Sequence, residues 1–294
     1  MRHEQSSGHL TALVCVIIWG STFVVSKSLM AHLRPVQLML LRFILGYAAL
    51  WVIHPKWHFR WREEGRFVLM ALFANTLYAW AENTALTITQ ASNVSILVST
   101  TPIITAAALA AFGGERLNRR QTLGFAIAFA GVVLVVFNGA VTLKLRPAGD
   151  LLALAASVSW AVYGFLLRRW SSEYASALIT RKLMFYGMLT VLPLVIAEGR
   201  PINFPAILTW AEGWKLLYLG LVGSAFSYLL WNNTIKKIGV LTANLYIYMV
   251  PLITLVVSAV FLHEKITPMG LIGILMVIAG MVLGTLQAKG QAQP

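Results

Sequence analysis

The sequence predicts an all-α polytopic membrane protein, with ten transmembrane helices arranged as two inverted five-helix repeats. Three observations predict it: the composition is too apolar for water, ten stretches are long enough to cross a bilayer, and the second half repeats the first. Of 294 residues, 59% are hydrophobic and 11% are charged, against roughly 25% charged in a soluble domain. The surplus apolar surface must face lipid.

A bilayer core takes about 20 residues as a helix. The segments that reach this length are 10–30, 36–53, 66–86, 93–112, 121–138, 150–168, 177–197, 214–235, 242–262 and 269–287. The first run is followed by Lys27 and has no small-residue cleavage site, so it is expected to stay as the first span. Cys15 is the only cysteine, which excludes an intrachain disulfide and leaves a small packing residue. The longest links, 54–65 and 198–213, are too short for a soluble domain, and polar or glycine-containing breaks at 87–92 and 236–241 read as tight turns. Trp51, Trp57, Phe59 and Trp61 at one link, and Trp210 and Trp214 at another, suit the headgroup level.

The net charge of +13 is spread in short groups between apolar runs, such as Arg60, Arg62 and Arg66, with no basic arm and no nucleic-acid motif. That is the pattern of the positive-inside bias. With both termini inside, 13 Lys and Arg fall on the inner face and 6 on the outer. Lys27, Arg42, Arg181 and Lys182 fall within spans or near their ends.

One offset of 149 residues aligns Pro102 with Pro251, Glu115 with Glu264, Gly124 with Gly273, and Ala130 and Gly131 with Ala279 and Gly280. The halves are residues 1–141 and 142–294, each with five spans. Two copies of an odd unit must insert in opposite orientations. The loop with Glu115 is rich in arginine, and its counterpart with Glu264 carries only Lys265. Inverted repeats place a substrate site near the midplane between the halves, and alternating access follows from their rocking.

The residues resemble the drug/metabolite transporter superfamily, in its EamA-type branch. The likeness runs from Ala91 to Val136 through Thr101, Pro102, Gly114, Glu115, Arg116, Leu117 and Gly124. It resumes at Gly149 and Asp150 and passes through Ser159, Trp160 and Ala161, Tyr218 to Ala225, Leu230, Trp231, Asn232 and Pro251 to Pro268. Trp19, Gly20, Ser21, Thr22, Phe23, Ser26 and Lys27, with Leu41, Arg42 and Phe43, add to it. The resemblance implies ten helices, cytoplasmic termini, a bacterial inner membrane, and export of small metabolites, often amino acids, or of drugs.

Candidate substrate-binding residues follow from the cost of polar groups in lipid. Glu82 is an acid embedded in the third expected span; it trades a proton, pairs with a cation, or reaches the headgroups. Pro102 and Pro251 break the helical ladder in matching helices and free the carbonyls of Val98 and Ile247, as substrate acceptors or as plain kinks. Asn244, Tyr248 and Pro251 share one helical face, as do Asn93 and Thr100. Trp19, Thr22, Tyr78, Trp160, Tyr163, Tyr228, Trp231 and Asn232 add aromatic, hydroxyl and amide groups suited to an amphipathic small molecule, or to helix packing. Asn232 stands in the second half where Glu82 stands in the first. Lys27 is expected to snorkel and Arg42 to tie to helix carbonyls. The glycines and alanines at 124, 128, 131, 273, 279 and 280 read as scaffold or as a dimer face.

The leading function is export of amino acids or related metabolites. The alternative is proton-coupled efflux of cationic drugs or polyamine-like compounds, with Glu82 as the coupling acid. A non-transporting membrane interaction protein is the third class. An enzyme is not expected, because the six histidines lie near span ends or loops and no carboxylate cluster or metal motif is present. No cofactor or metal is implied. The expected partners are a small-molecule substrate and the bilayer, with the chain a monomer or a homodimer.

Overall fold

The computed structural model describes residues 2–56, 58–88, 91–112, 117–137, 146–261 and 266–285. The described residues are helical, with short turns between. The first half holds α1 (Arg2–Leu29), α2 (Pro35–Ile53), α3 (Trp61–Ala71), a π segment (Leu72–Leu77), α4 (Tyr78–Ile88), α5 (Ala91–Val98), α6 (Thr101–Phe112) and α7 (Arg119–Phe137). The second holds α8 (Pro147–Trp170), α9 (Ser176–Glu198), a short α10 (Phe204–Ile207), α11 (Trp210–Leu217), a π segment (Tyr218–Phe226), α12 (Ser227–Ile247), α13 (Met249–Phe261) and α14 (Pro268–Thr285). Among the described residues, five helices are long and apolar enough to cross a membrane, or six if the bent pair 210–247 and 249–257 counts as one span.

Over their described residues the ten expected segments fall mostly on helix, with differences of detail that have physical causes. The third starts at Trp61 because an amphipathic turn with Glu63 and Glu64 at its N-terminus precedes the apolar run. Its π segment falls where the eighth segment carries its own, and both open the helix beside a neighbour. Asn75 in the first π segment donates to the Leu183 carbonyl of α9 at 2.8 Å. Ser224 in the second donates to the Leu219 carbonyl, five residues back, at 2.9 Å. The fourth segment divides at Ser99 and Thr100, just before Pro102. The turn expected at 236–241 is made at Gly239, whose φ of 76° and ψ of 164° reverse the chain in a region that favours glycine.

The packing has the same form in both halves. α1 lies against α12 and α13, as α8 lies against α4, α5 and α6; α2 lies against α9, and α7 against α14. The last pair is the closest. A Cβ at Gly124 would sit 2.6 Å from the Gly280 carbonyl oxygen, and one at Gly131 would sit 2.7 Å from that of Gly273. The small residues of α7 and α14 therefore face each other within one chain, as helix-packing scaffold.

At the end of the bundle where 54–56, 58–60, 171–175 and 236–239 lie, charges are closed on one another or on backbone carbonyls. Lys182 of α9 holds both carboxylate oxygens of Glu64 at 2.7 and 2.8 Å, and the Tyr186 hydroxyl donates to the same group at 2.5 Å. The ammonium also lies 5.5–5.9 Å from the rings of Phe59, Phe67 and Tyr186. Arg181 donates to the carbonyls of His54 and Lys56 at 2.5 and 2.6 Å and stacks over Trp51. Arg66 pairs with Glu173, and Lys236 donates to the Tyr174 carbonyl at 2.5 Å. Outside the apolar segments, the His58 hydrogen bond holds the Glu63 carboxyl below its ordinary range, helped by Arg60 and opposed by burial.

Two outcomes follow. Gly131→Val lowers the melting temperature in detergent, because overpacking costs about 1–3 kcal/mol, whereas Gly65→Ala, with open space around its Cβ, leaves it unchanged. Lys182→Met leaves Glu64 buried without its cation and costs about 3–5 kcal/mol by thermal unfolding, and adding Glu64→Leu recovers most of the loss.

Candidate functional site

Six of the expected aromatic residues converge where α1, α4, α8 and α12 meet. Trp160 of α8 is the hub. Its ring centroid lies 5.5 Å from Trp19, 5.1 Å from Tyr78, 5.3 Å from Tyr163, 6.0 Å from Tyr228 and 6.5 Å from Trp231. Trp19 lies 5.0 Å from Trp231 and 6.0 Å from Tyr228. Helical spacing makes this possible, since Trp160 and Tyr163, like Tyr228 and Trp231, stand three apart and share a face. Edge-to-face and tilted contacts predominate, the arrangement that ring quadrupoles favour. The Trp19 Nε1–H donates to the Ser227 hydroxyl at 3.0 Å, and that hydroxyl donates to the Gly223 carbonyl at 2.7 Å. Thr22 donates to the Trp19 carbonyl at 2.7 Å, and its methyl approaches Gly223 closely enough that no side chain fits there.

A polar corner adjoins the rings. The Tyr78 hydroxyl donates to Oε1 of Glu82, one turn along α4, at 3.1 Å. Arg42 of α2 donates through Nε to the Ser224 hydroxyl at 3.2 Å. This corrects the expected tie of Arg42 to helix carbonyls, because the π segment turns a hydroxyl toward it instead. The helices that carry Arg42 and Glu82 meet one turn from Arg42 and next to Glu82, where Asn83 Nδ2 lies 3.8 Å from Met39 Sδ, but no ion pair joins Arg42 to Glu82 among the described residues. Both keep intermediate exposure although each lies within its helix.

The remaining candidates are placed differently. Tyr163 and Asn232 are completely buried and satisfy each other: the tyrosine hydroxyl donates to Asn232 Oδ1 at 2.7 Å, and Asn232 Nδ2 donates to Thr180 at 2.8 Å. In this conformation they are structural. Pro102 is buried, and the Val98 carbonyl that it frees accepts hydrogen bonds from Thr101 at 2.7 Å and Ser157 at 3.3 Å. Thr100 donates to the Leu97 carbonyl at 2.6 Å. This break is thus closed by its own hydroxyls. Asn244 and Tyr248 are buried, with Asn244 Nδ2 and the Tyr248 hydroxyl lacking partners, and Pro251 beside them is partly exposed. The side chains of Asn93 and Lys27, and residues Glu115 and Glu264, lie outside the described residues. Ser224 and Ser227 lie in an apolar run, and no sequence signal pairs them with Arg42 and Trp19, 182 and 208 residues away. Among the described residues, no three His, Cys, Asp or Glu side chains gather to hold a metal ion.

The model of the EamA-like transporter family matches the chain twice, over residues 6–137 and 147–286. A protein of Archaeoglobus fulgidus named "Uncharacterized transporter" is 29% identical over 96% of this chain and 98% of its own. A "Probable amino-acid metabolite efflux pump" of Salmonella typhimurium is 25% identical over 92% of each chain. A solved crystal structure superposes with a TM-score of 0.81 at 20% identity, covering 97% of this chain and 98% of the other, and so shares the fold.

Tyr163→Phe removes the donor to Asn232 and leaves a buried acceptor unpaired, which costs about 1–3 kcal/mol. The expected result is a lower melting temperature in detergent, with ligand affinity retained in the folded fraction.

Proposed function

The chain belongs to the EamA-like transporter family, and from that membership and the geometry above we propose that it exports amino acids or closely related metabolites by alternating access. As a member of that family it is a multi-pass membrane transporter and not an enzyme. The observation that carries the reading is the ring cluster between α1, α4, α8 and α12, bordered by Arg42 and Glu82. Rings hold an apolar body, and a few placed polar groups fix its orientation. The name of the Salmonella relative, a probable amino-acid metabolite efflux pump, points to the same class of solute.

Two inverted five-helix halves, 1–141 and 142–294, are the architecture that this reading uses. The double match of the family model, the paired π segments and the like packing of the halves support it. The bias of 13 basic residues against 6 supports cytoplasmic termini in a cell inner membrane. In that orientation the charge network that links 54–56 and 58–60 with 171–175 and 236–239 faces the cytoplasm, and we read this conformation as shut on that side. Export requires it to open.

Proton-coupled efflux of cations is the second reading, favoured by the carboxylate of Glu82 against Tyr78. Arg42 beside it counts against this, because a cation drawn to Glu82 also meets the guanidinium.

The test is uptake into inverted vesicles or proteoliposomes, with a panel of amino acids and organic cations, with and without a proton gradient. Saturable amino-acid flux is expected, and Trp160→Ala lowers its apparent affinity at least about tenfold, the equivalent of ~1.4 kcal/mol. Flux of cations alone, made pH-independent by Glu82→Gln, would establish the second reading instead.

A further inference from the structure

We propose that Arg42 and Glu82 form a two-ended clamp for a zwitterion. The Arg42 guanidinium takes the α-carboxylate, Glu82 takes the α-ammonium, and the ring cluster takes the side chain. The proposal rests on the reading of this region as the substrate site and names the chemistry that the site selects.

The clamp follows from what each group leaves unused. Arginine has five N–H donors in a planar fork. Arg42 uses one, Nε, on Ser224, and Ser224 is fixed in turn by the Leu219 carbonyl at 2.9 Å. Among the described residues the two terminal nitrogens make no hydrogen bond, and Arg42 keeps intermediate exposure. Glu82, also of intermediate exposure, accepts one hydrogen bond among the described residues, at Oε1 from Tyr78, and none at Oε2. A carboxylate has about four acceptor positions, so most of its capacity is unused.

Their mutual placement matters more. Opposite charges in a low-dielectric interior gain most by touching. The protein closes such a pair elsewhere, at Lys182 and Glu64. Arg42 and Glu82 are instead held on different helices, each anchored by a neutral hydroxyl, where α2 and α4 meet through Asn83 Nδ2 and Met39 Sδ at 3.8 Å. A ligand with one charge satisfies one end and is repelled by the other. A ligand with a carboxylate and an ammonium satisfies both, forms charge-assisted hydrogen bonds at each end and leaves the net charge of the site unchanged. Tyr78 and Tyr228 place the polar corner against the rings, so a side chain extending from the α-carbon meets Trp19 and Trp160.

The experiment uses the unaltered protein in proteoliposomes and measures inhibition of amino-acid flux by phenylalanine and leucine. Each is compared with its decarboxylated amine, phenethylamine or isoamylamine, and with its deaminated acid, 3-phenylpropionate or 4-methylpentanoate. The zwitterions are expected to inhibit best, and each singly charged analogue to be weaker by on the order of tenfold to a hundredfold, the loss of one charge-assisted end. Arg42→Gln is expected to collapse the preference for phenylalanine over phenethylamine while keeping that over 3-phenylpropionate, and Glu82→Gln to do the reverse. Amines that inhibit as well as amino acids overturn the clamp and leave amino-acid transport standing. A protein that moves other solutes but no amino acid overturns the transport reading and the clamp with it. A variant that fails to fold does not decide the matter, because the analogue series on the unaltered protein tests the clamp by itself.

Discussion

Lipid offers no hydrogen bonds, so each polar group that this chain carries into its apolar segments must be satisfied by the chain itself. The irregular features of the fold answer that demand. Where the helix breaks before Pro102, Thr100, Thr101 and Ser157 cover the carbonyls of Leu97 and Val98. Where α4 and α12 are preceded by π segments, Asn75 and Ser224 bind the carbonyls of Leu183 and Leu219. Arg181 closes on two carbonyls, and Lys182 closes on Glu64. Against this background, Arg42 and Glu82 carry charged groups that keep unused bonding capacity among the described residues, as the neutral Asn244 and Tyr248 do. Their charge marks the proposed site more sharply than the aromatic residues do, since rings pack equally well in a scaffold.

Much of the fold is legible in the sequence, because segment length and apolarity are set by bilayer thickness. The long unbroken helices α2, α7, α8, α9 and α14 match their expected segments to within a few residues. The misses lie where local hydrogen bonding overrides hydropathy. A π segment has the same apolar composition as the α-helix around it, so 72–77 and 218–226 carry no compositional mark. The early start at Trp61 depends on an amphipathic turn whose acids lie at a helix N-terminus, outside the apolar run. The position of the 236–241 reversal was readable, since Gly239 alone within it tolerates the required positive φ.

The candidate site is legible in its residues and less so in its pairings. Helical spacing groups Trp160 with Tyr163 and Tyr228 with Trp231, but it cannot say which helix faces which. Tyr163 and Asn232 stand in the sequence on a par with Tyr78 and Glu82, and their mutual hydrogen bond and full burial separate them. The tie of Arg42 is hidden for the same reason. Its partner is a serine 182 residues away, turned inward by a π segment that the sequence does not announce. Asn244 and Tyr248 share a buried face, as their spacing implied, and their unpartnered donors mark where a rearranged conformation has most to gain.

The reversal at Gly239 carries Val240 against α8, where a Cβ at Gly164 would lie 3.4 Å from the valine Cγ1 and 3.8 Å from the Thr105 methyl. The proposed transport through the ring cluster needs this contact to part. The most direct measurement is flux in proteoliposomes by a Gly164→Cys, Val240→Cys double variant in a Cys15→Ala background. The Val240 Cγ1, whose place a cysteine Sγ takes, is in van der Waals contact with that Cβ, so oxidation or a short bifunctional thiol reagent can join the two positions. Oxidation is expected to stop flux and reduction to restore it, with each single variant insensitive to both. An oxidised, fully cross-linked double variant that transports at the reduced rate would contradict the account.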